Sequence, residues 1–461
     1  MRRLRYLLFI VLFHCSSAVA QEALALARMA VIGNITIEGN RVTRRNVVLR
    51  ELSIREGSIV SVDSLDALVA QNKLRLFNLQ LFNEVEQSAN IEGDTVNWNI
   101  RVRERWYVIP TGILQFADRN INTWWADQNH DPARVSAGLT VTDRNFRGNL
   151  EALAVTVQAG YTQRVGLSYM LPYLNKQQTN GIGIIASAAR STQAYYATGA
   201  NKLLFAGGYS GPPIWQHAEG GICYIHRPRY AGRHVIQASY KYFTVGDTIL
   251  QLNHDYFRDS SNTAKFAELF YRYEYNGVDN WNYSLVGEKL VTGVTVRAGF
   301  EGLKIQSFVN VEAGVFRSLR PHWYVSAILR GRLMYPQQQP YYFRNGLGTS
   351  TDYVRGYEYY VTDGYNYGVL RLNLKREVFN NTYSLPVQYF TAIPVRVYPK
   401  LFFDVGYINT PNAGTNTLAN TVLYSFGAGI DIVTLYDVKI RVEFARNHLG
   451  QNGVYLHFNS E

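Results

Sequence analysis

The chain has 461 residues, a formal net charge of +11, and 34 Tyr and 37 Gly against only 4 Met and 2 Cys. That length exceeds one small domain and leaves room for a small domain followed by a large β structure. Cys15 and Cys223 cannot build a disulfide framework or a cysteine metal site, and the basic charge is dispersed beyond the N-terminus, which argues against nucleic acid as a partner.

Residues 1–20 have the layout of a secretory signal peptide. Arg2, Arg3 and Arg5 supply the basic start, Tyr6 to Phe13 the apolar core, and Ala18-Val19-Ala20 a small-residue cleavage site before Gln21. The apolar run is shorter than the roughly 20 residues of a membrane helix. Cys15 is a poor lipidation site with His14 beside it. The pattern predicts export.

Residues 31–104 predict a small α+β domain. Ile35 and Ile37 alternate with Thr36 and Glu38 before a Gly39-Asn40 turn. Thr43 is placed to cap a helix carrying Val47, Val48 and Leu52. A second helix over about 61–76 puts Leu65, Leu68, Val69 and Asn72 on one face. Phe82 to Glu86 and Thr95 to Val102 read as strands joined around Gly93-Asp94. The order β-α-α-β-β predicts one sheet covered by two helices, with too few strands to close a barrel.

From Trp106 onward the period changes to two. Val135, Ala137, Leu139 and Val141 alternate with Ser136, Gly138, Thr140 and Thr142, and Val438, Ile440, Val442 and Phe444 with Lys439, Arg441, Glu443 and Ala445. The same pattern runs through 153–160 and 294–301. Alternation alone fits either a soluble sandwich or a barrel with lipid outside and water inside. Export, charged polar faces (Arg297, Glu301, Lys439, Arg441, Glu443) and tyrosines crowding segment ends (Tyr169, Tyr173, Tyr195, Tyr196, Tyr271, Tyr273, Tyr275) favour the transmembrane β-barrel. Residues 106–461 hold sixteen antiparallel strands of roughly 10 membrane residues each with chain to spare.

An enzyme is disfavoured. His130 lies near Asp127 and Asp131, but the cluster reads more simply as a solvated loop. His217, His226 and His234 are scattered without metal-ligand spacing, and no Gly-x-Ser-x-Gly elbow or phosphate loop occurs, so no metal or cofactor is expected.

The stretch from Pro340 to Tyr367 is a long Tyr-, Gly- and Asn-rich segment containing Val354-Arg355-Gly356-Tyr357. Long loops between strands are usually functional or disordered, and this aromatic composition is not that of disorder. It is either a surface loop or a loop folded back into a barrel lumen and held by Arg355.

Ile37-Glu38-Gly39-Asn40, Leu76-Phe77, Leu81-Phe82 and Val102-Arg103-Glu104-Arg105, in that order, resemble a POTRA domain, with room for only one. Asn145, Phe146 and Gly148 are similar to the Asn-Phe-x-Gly turn after the second barrel strand of the same superfamily, and Leu171-Pro172-Tyr173 to its fourth-strand end. Val354-Arg355-Gly356-Tyr357 is similar to the motif of its sixth extracellular loop, here 335–366, and Phe402-Phe403-Asp404 to the element on its thirteenth strand. Tyr455 and Phe458 are similar to its C-terminal barrel signal, although Asn459-Ser460-Glu461 follow. In sum the chain resembles the BamA/TamA-like outer-membrane assembly and secretion superfamily, as a bacterial surface antigen barrel with one POTRA domain.

This resemblance implies contact between Arg355 and Asp404 inside the lumen. It implies a Gram-negative outer membrane with the POTRA domain in the periplasm. The implied partners are outer-membrane lipid, unfolded client proteins or an exoprotein, and accessory periplasmic or lipoprotein subunits. Protein assembly through a lateral seam between strands at about 107–118 and 452–459 is the leading expectation. Export of a polypeptide through the lumen, as in two-partner secretion, is the alternative, and a passive porin or a lipid exporter are further ones.

Two regions fit less well. Val235 to Thr244 and Thr248 to Phe257 are strand-like segments expected as an extracellular hairpin beyond the eleven strands before the loop. Lys375-Arg376 stands where an acid is expected, with Glu377 displaced, so the lumenal charges beyond Arg355 and Asp404 stay open.

Overall fold

The computed structural model describes residues 28–116, 124, 129–208, 211–300, 305–349, 352–384, 392–434 and 438–457. The leader at 1–20, Asp127 and Phe458 lie outside the described residues.

The amino-terminal domain begins with β1 (Met29–Glu38), α1 (Arg45–Glu51), β2 (Ile59–Ser61) and α2 (Leu65–Asn78), and ends with β3 (Phe82–Glu92) and β4 (Thr95–Glu104). Its sheet runs β2-β1-β4-β3, with β1 parallel to β4 and β3 antiparallel to it. The short edge strand β2 is an addition to the expected order. Alternation decides which residues turn inward. Val96, Trp98, Ile100 and Val102 on β4 face Val47, Val48 and Leu76 of the helices in one apolar core. Thr43 does not cap α1: Arg44 precedes the helix without a side-chain bond, and the Thr43 hydroxyl is held by Tyr107 at 2.8 Å.

The remaining strands form one closed antiparallel barrel. They are β5 (Val108–Phe116), β6 (Val135–Asp143), β7 (Ala152–Gly160), β8 (Thr162–Leu171) and β9 (Asn180–Ser191), then β12 (Trp215–His226), β13 (Gly232–Val245), β14 (Thr263–Asn276) and β15 (Gly287–Phe300). The wall continues with β16 (Gln306–Arg320), β17 (Trp323–Tyr335), β18 (Asn366–Arg376) and β19 (Phe379–Ser384). It ends with β20 (Ala392–Asn409), β21 (Val422–Val433), β22 (Lys439–Asn447) and β23 (Asn452–His457). Because β18 and β19 pair with successive parts of β20, they occupy one place, and the ring has sixteen places with β23 beside β5. Eleven precede the long loop and five follow it.

Between β9 and β12 lies a separate hairpin, β10 (Gln193–Gly199) and β11 (Lys202–Gly207). This corrects the expectation for 229–263. The segment Val235 to Thr244 belongs to β13, the seventh strand of the wall, and Thr248 to Phe257 begins with the helix α3 (Asp247–Leu252). The extra hairpin is β10–β11 instead.

Outward residues are apolar and exposed, among them Leu401, Phe403 and Tyr407 on β20 and Val442 and Phe444 on β22, whereas the intervening Lys400, Asp404, Arg441 and Glu443 are buried inside. A wall with an apolar outside and a charged inside is the pattern of a transmembrane barrel. Tyr271 and Tyr275 are exposed on the outer face, but Tyr173 is buried against the amino-terminal domain and Tyr195 and Tyr196 pack over the mouth. These last three are not girdle residues.

The amino-terminal domain is seated on one rim. Arg227 holds buried Glu51 in a two-pronged bond of 2.7 and 2.8 Å, and Arg50 donates to the carbonyls of Gln178 and Arg227 at 3.0 and 2.7 Å. At the opposite rim the hairpin spans the mouth. Its tip residue Asn201 donates from its backbone to Asn416 Oδ1 at 2.8 Å and from its side chain to Thr417 Oγ1 at 3.0 Å. Ile249, Tyr256, Phe257, Phe266, Tyr341 and Phe343 pack beneath it.

Candidate functional site: the lumenal loop and its charge ladder

The segment 336–365 between β17 and β18 turns back into the barrel. Arg355 and Asp404 are both fully buried, each with 0% exposure. The guanidinium grips the carboxylate with both prongs, Nε to Oδ2 at 2.8 Å and Nη2 to Oδ1 at 2.5 Å. The Arg355 backbone N–H adds a third bond to Oδ2 at 3.1 Å. Nη1 donates to Asn373 Oδ1 at 2.8 Å and lies 3.3 Å from Glu443 Oε1. The Phe402 ring sits 4.0 Å below the guanidinium. Planar, two-pronged binding of this kind suits arginine and not lysine.

The neighbours of Arg355 in the motif are held as firmly. Gly356 has φ +86°, and a Cβ there would lie 3.2 Å from that of Ala445. Its carbonyl accepts from Asn447 at 2.9 Å. Tyr357 donates to the Tyr424 carbonyl at 3.1 Å and also bonds His448. Val354 is buried with Tyr357, Val369 and Ile408. The loop also touches the last strand. Tyr353 Oη lies 3.3 Å from His457 Nδ1, and Glu358 lies 3.5 Å from His457 Nε2.

Strand parity assembles the pocket. Lys400, Phe402 and Asp404 share the inner face of β20, Arg371, Asn373 and Lys375 that of β18, and Arg441, Glu443 and Asn447 that of β22. Their register stacks charges down the wall. Lys400 Nζ is 2.6 Å from Glu443 and 2.7 Å from Asp431, and Lys375 is 3.5 Å from Asp431. Arg371 is 3.8 Å from Asp404. Lys375 therefore belongs in the ladder, and the acid it meets is Asp431 on β21, not one on its own strand.

The ladder ends at a segment from the other rim. Residues 277–286, between β14 and β15, cross the lumen floor. Tyr283 donates to Asp431 Oδ2 at 2.8 Å and packs on Tyr398, and Lys439 bonds the Asn282 carbonyl. The same segment meets the amino-terminal domain, where Asn78 donates to the Asp279 carbonyl at 3.2 Å. A continuous run of polar contacts thus leads from α2 through the floor and the ladder to the loop.

Asn145, Phe146 and Gly148 lie elsewhere, at the joint with the amino-terminal domain. Asn145 donates to Thr43 Oγ1 at 3.0 Å and accepts from the Leu150 backbone at 2.8 Å. Gly148, with φ +76°, leaves no room for a side chain, since a Cβ would stand 2.1 Å from the Val42 carbonyl. Phe146 is exposed, edge-on to Tyr169. Tyr455 points inward and packs with Phe402 and Ala445 under the loop. Among the described residues no group of three or more His, Cys, Asp or Glu could hold a metal ion.

Residues 30–105 match the POTRA family, described as a surface antigen variable number repeat. The fold is similar to that of BamA from Haemophilus ducreyi lacking POTRA domains 1–3, with a TM-score of 0.51 and 13% identity over 93% of this chain and 83% of that one. This chain is a one-POTRA barrel of the BamA-like fold. CdiB from Escherichia coli has a similar fold, with a TM-score of 0.54 and 11% identity over 93% of this chain and 75% of that one. No curated protein sequence matches. The identities are too low for these likenesses to carry more than the fold. Arg355 and Asp404 were legible through the resemblance. Glu443 was legible as a lumenal charge but not as a neighbour of Arg355, and Asn373, Lys400, Asp431 and Tyr283 were not legible, because only register and the path of the floor segment bring them together.

Proposed function

We propose that this chain assembles proteins into the bacterial outer membrane, with its POTRA domain in the periplasm. The observation that carries this reading is the loop's double attachment. It is clamped to the inner wall by Arg355 and it braces the last strand through Tyr353 and Glu358 on His457. The strand beside the seam is therefore held from inside by the loop. The last strand offers only Asn452–His457 as described ladder. Backbone groups exposed to lipid by an opened seam must find partners, and an incoming client strand supplies them. The POTRA sheet has a second open edge in β3, suited to strand addition by an extended client. Folding of the client supplies the free energy.

Export through the lumen is the weaker reading. The floor segment, the loop and the hairpin dome all lie across the path a polypeptide would take.

The test is a disulfide lock. Cysteine pairs placed between Val108–Phe116 and Asn452–His457, in a Cys223→Ser background, are screened for cross-linking. The locked protein is then assayed for accelerated insertion of a client barrel into liposomes. Loss of acceleration on oxidation, restored by reduction, is expected. A locked seam that works at full rate overturns the proposal.

A further inference from the structure

A second site lies where the POTRA domain meets the barrel. A cleft of about 770 Å³ opens between the end of α1, Arg75 of α2, and the rim turns at 176–179 and 228–230. Arg55, Arg75, Lys176 and Arg229 line it. None of these four has a carboxylate within ion-pair distance among the described residues. The acid facing the cleft, Glu56, is engaged by Arg45 at 3.2 Å. Arg75 is held over the Tyr230 ring at 4.8 Å, which fixes its direction without neutralising it.

Two further features of the wall bear on what the cleft accepts. The Gln178 side-chain Nε2 is buried at the cleft wall without a hydrogen-bond partner, so a donor stands unmet in a basic setting. Arg50, in the same wall, donates to two carbonyls and lies 3.4 Å from the Glu51 carboxylate, and that carboxylate is already held by Arg227. Positive charge gathered around one concave space raises the local concentration of anions there.

The cleft's position selects the source of that charge. Its two turns are the rim ends of β8–β9 and β12–β13. Directly above them on the outer face, Ile182, Ile222 and Tyr224 are exposed, and Leu174 is exposed on the turn itself. Basic side chains thus stand immediately beneath an apolar, lipid-facing wall. We propose that this cleft binds the anionic headgroup of a phospholipid of the periplasmic leaflet, whose acyl chains lie against that wall. The proposal rests on the membrane-spanning fold and not on the assembly reading, so either can fail without the other.

The test uses the full chain in a zwitterionic detergent. It is titrated by calorimetry with dihexanoyl phosphatidylglycerol, dihexanoyl phosphatidylcholine and inorganic phosphate. Saturable binding of the phosphatidylglycerol alone is expected, weakened tenfold or more in Arg55→Ala/Lys176→Ala/Arg229→Ala and by 0.5 M salt. These three side chains are exposed, so the variant should keep the wild-type melting temperature without lipid. A charge-reversed Lys176→Glu protein provides an independent check and should also bind less. Equal binding of phosphatidylcholine would remove the role of charge. Equal binding of phosphate would replace the lipid by a free anion. Unchanged affinity in the triple variant would remove the site. An acidic peptide is titrated as a fourth ligand, and its binding in preference to the lipid would assign the cleft to a protein partner and overturn the proposal.

Discussion

Replacing Arg355 with alanine deletes the cation from a carboxylate that has no access to water. Asp404 is fully buried, and the substitution removes both guanidinium bonds, at 2.8 and 2.5 Å, together with the contacts to Asn373 and Glu443. Breaking a buried ion pair from one side typically costs about 3–5 kcal/mol. Here the lower end applies, because Arg371 stands 3.8 Å from Asp404 and Lys400 still satisfies Glu443. The cost falls on the seated state of the loop, since Asp404 regains water when the loop lifts. About 3 kcal/mol corresponds to roughly 150-fold in the seated-to-lifted equilibrium. The measurement is amide hydrogen exchange of residues 353–361 in lipid nanodiscs, where opening equilibria are read directly. Exchange should accelerate by roughly two orders of magnitude, with the POTRA core unchanged. Arg355→Lys keeps the charge but not the fork and should fall between. Loop exchange within twofold of wild type in Arg355→Ala would refute the clamp.

Gly356→Ala must place a Cβ at φ +86°, 3.2 Å from Ala445, and should loosen the same loop by about 1–3 kcal/mol in the same exchange experiment. Gly148→Ala drives a Cβ into the Val42 carbonyl and should unseat the POTRA domain, seen as faster proteolysis between the domains while the barrel keeps its heat-modifiable mobility on gels. Glu51→Ala strands Arg227 at the joint and should lower the unfolding free energy of the docked domain by about 3 kcal/mol, measured by denaturant titration of POTRA tryptophan fluorescence. Tyr283→Phe removes one bond to Asp431 and should cost about 1 kcal/mol at the lumen floor, read as more frequent openings in planar-bilayer conductance.

Much of this architecture was legible because strand and helix impose different periods on a chain that separates two environments. The alternation of Val438 to Ala445 shows two faces, and the structure turns Lys439, Arg441 and Glu443 inward as that pattern requires. The POTRA helices and strands were legible from Val96 to Val102 and from Leu65 to Asn72 for the same reason. Period alone cannot say which strand-like segment joins the wall. Val235 to Thr244 alternates as a wall strand does, whereas the hairpin at 193–207 has no clean alternation, and only pairing shows that the first joins β12 and β14 and the second stands apart. Thr248 to Phe257 has strand-favouring Thr, Ile, Tyr and Phe, but packing of Ile249, Tyr256 and Phe257 under the mouth overrides that preference. Thr43 stands where a cap belongs, but its hydroxyl is taken by Tyr107 and Asn145, residues from beyond the domain. The ladder was hidden for a related reason. Lys400, Asp431 and Glu443 are far apart in sequence, and only register makes them neighbours.

The floor segment ties the motion of the POTRA domain to the state of the lumen. Asn78 holds one part of 277–286 and Asp431 another. A POTRA domain that swings aside tugs on the bolt across the pore, and a barrel that rearranges its ladder loosens the domain's seat. Such a linkage is reciprocal in free energy. Whatever displaces the domain outside the membrane and whatever rearranges the lumen within it are then coupled through the ten residues 277–286.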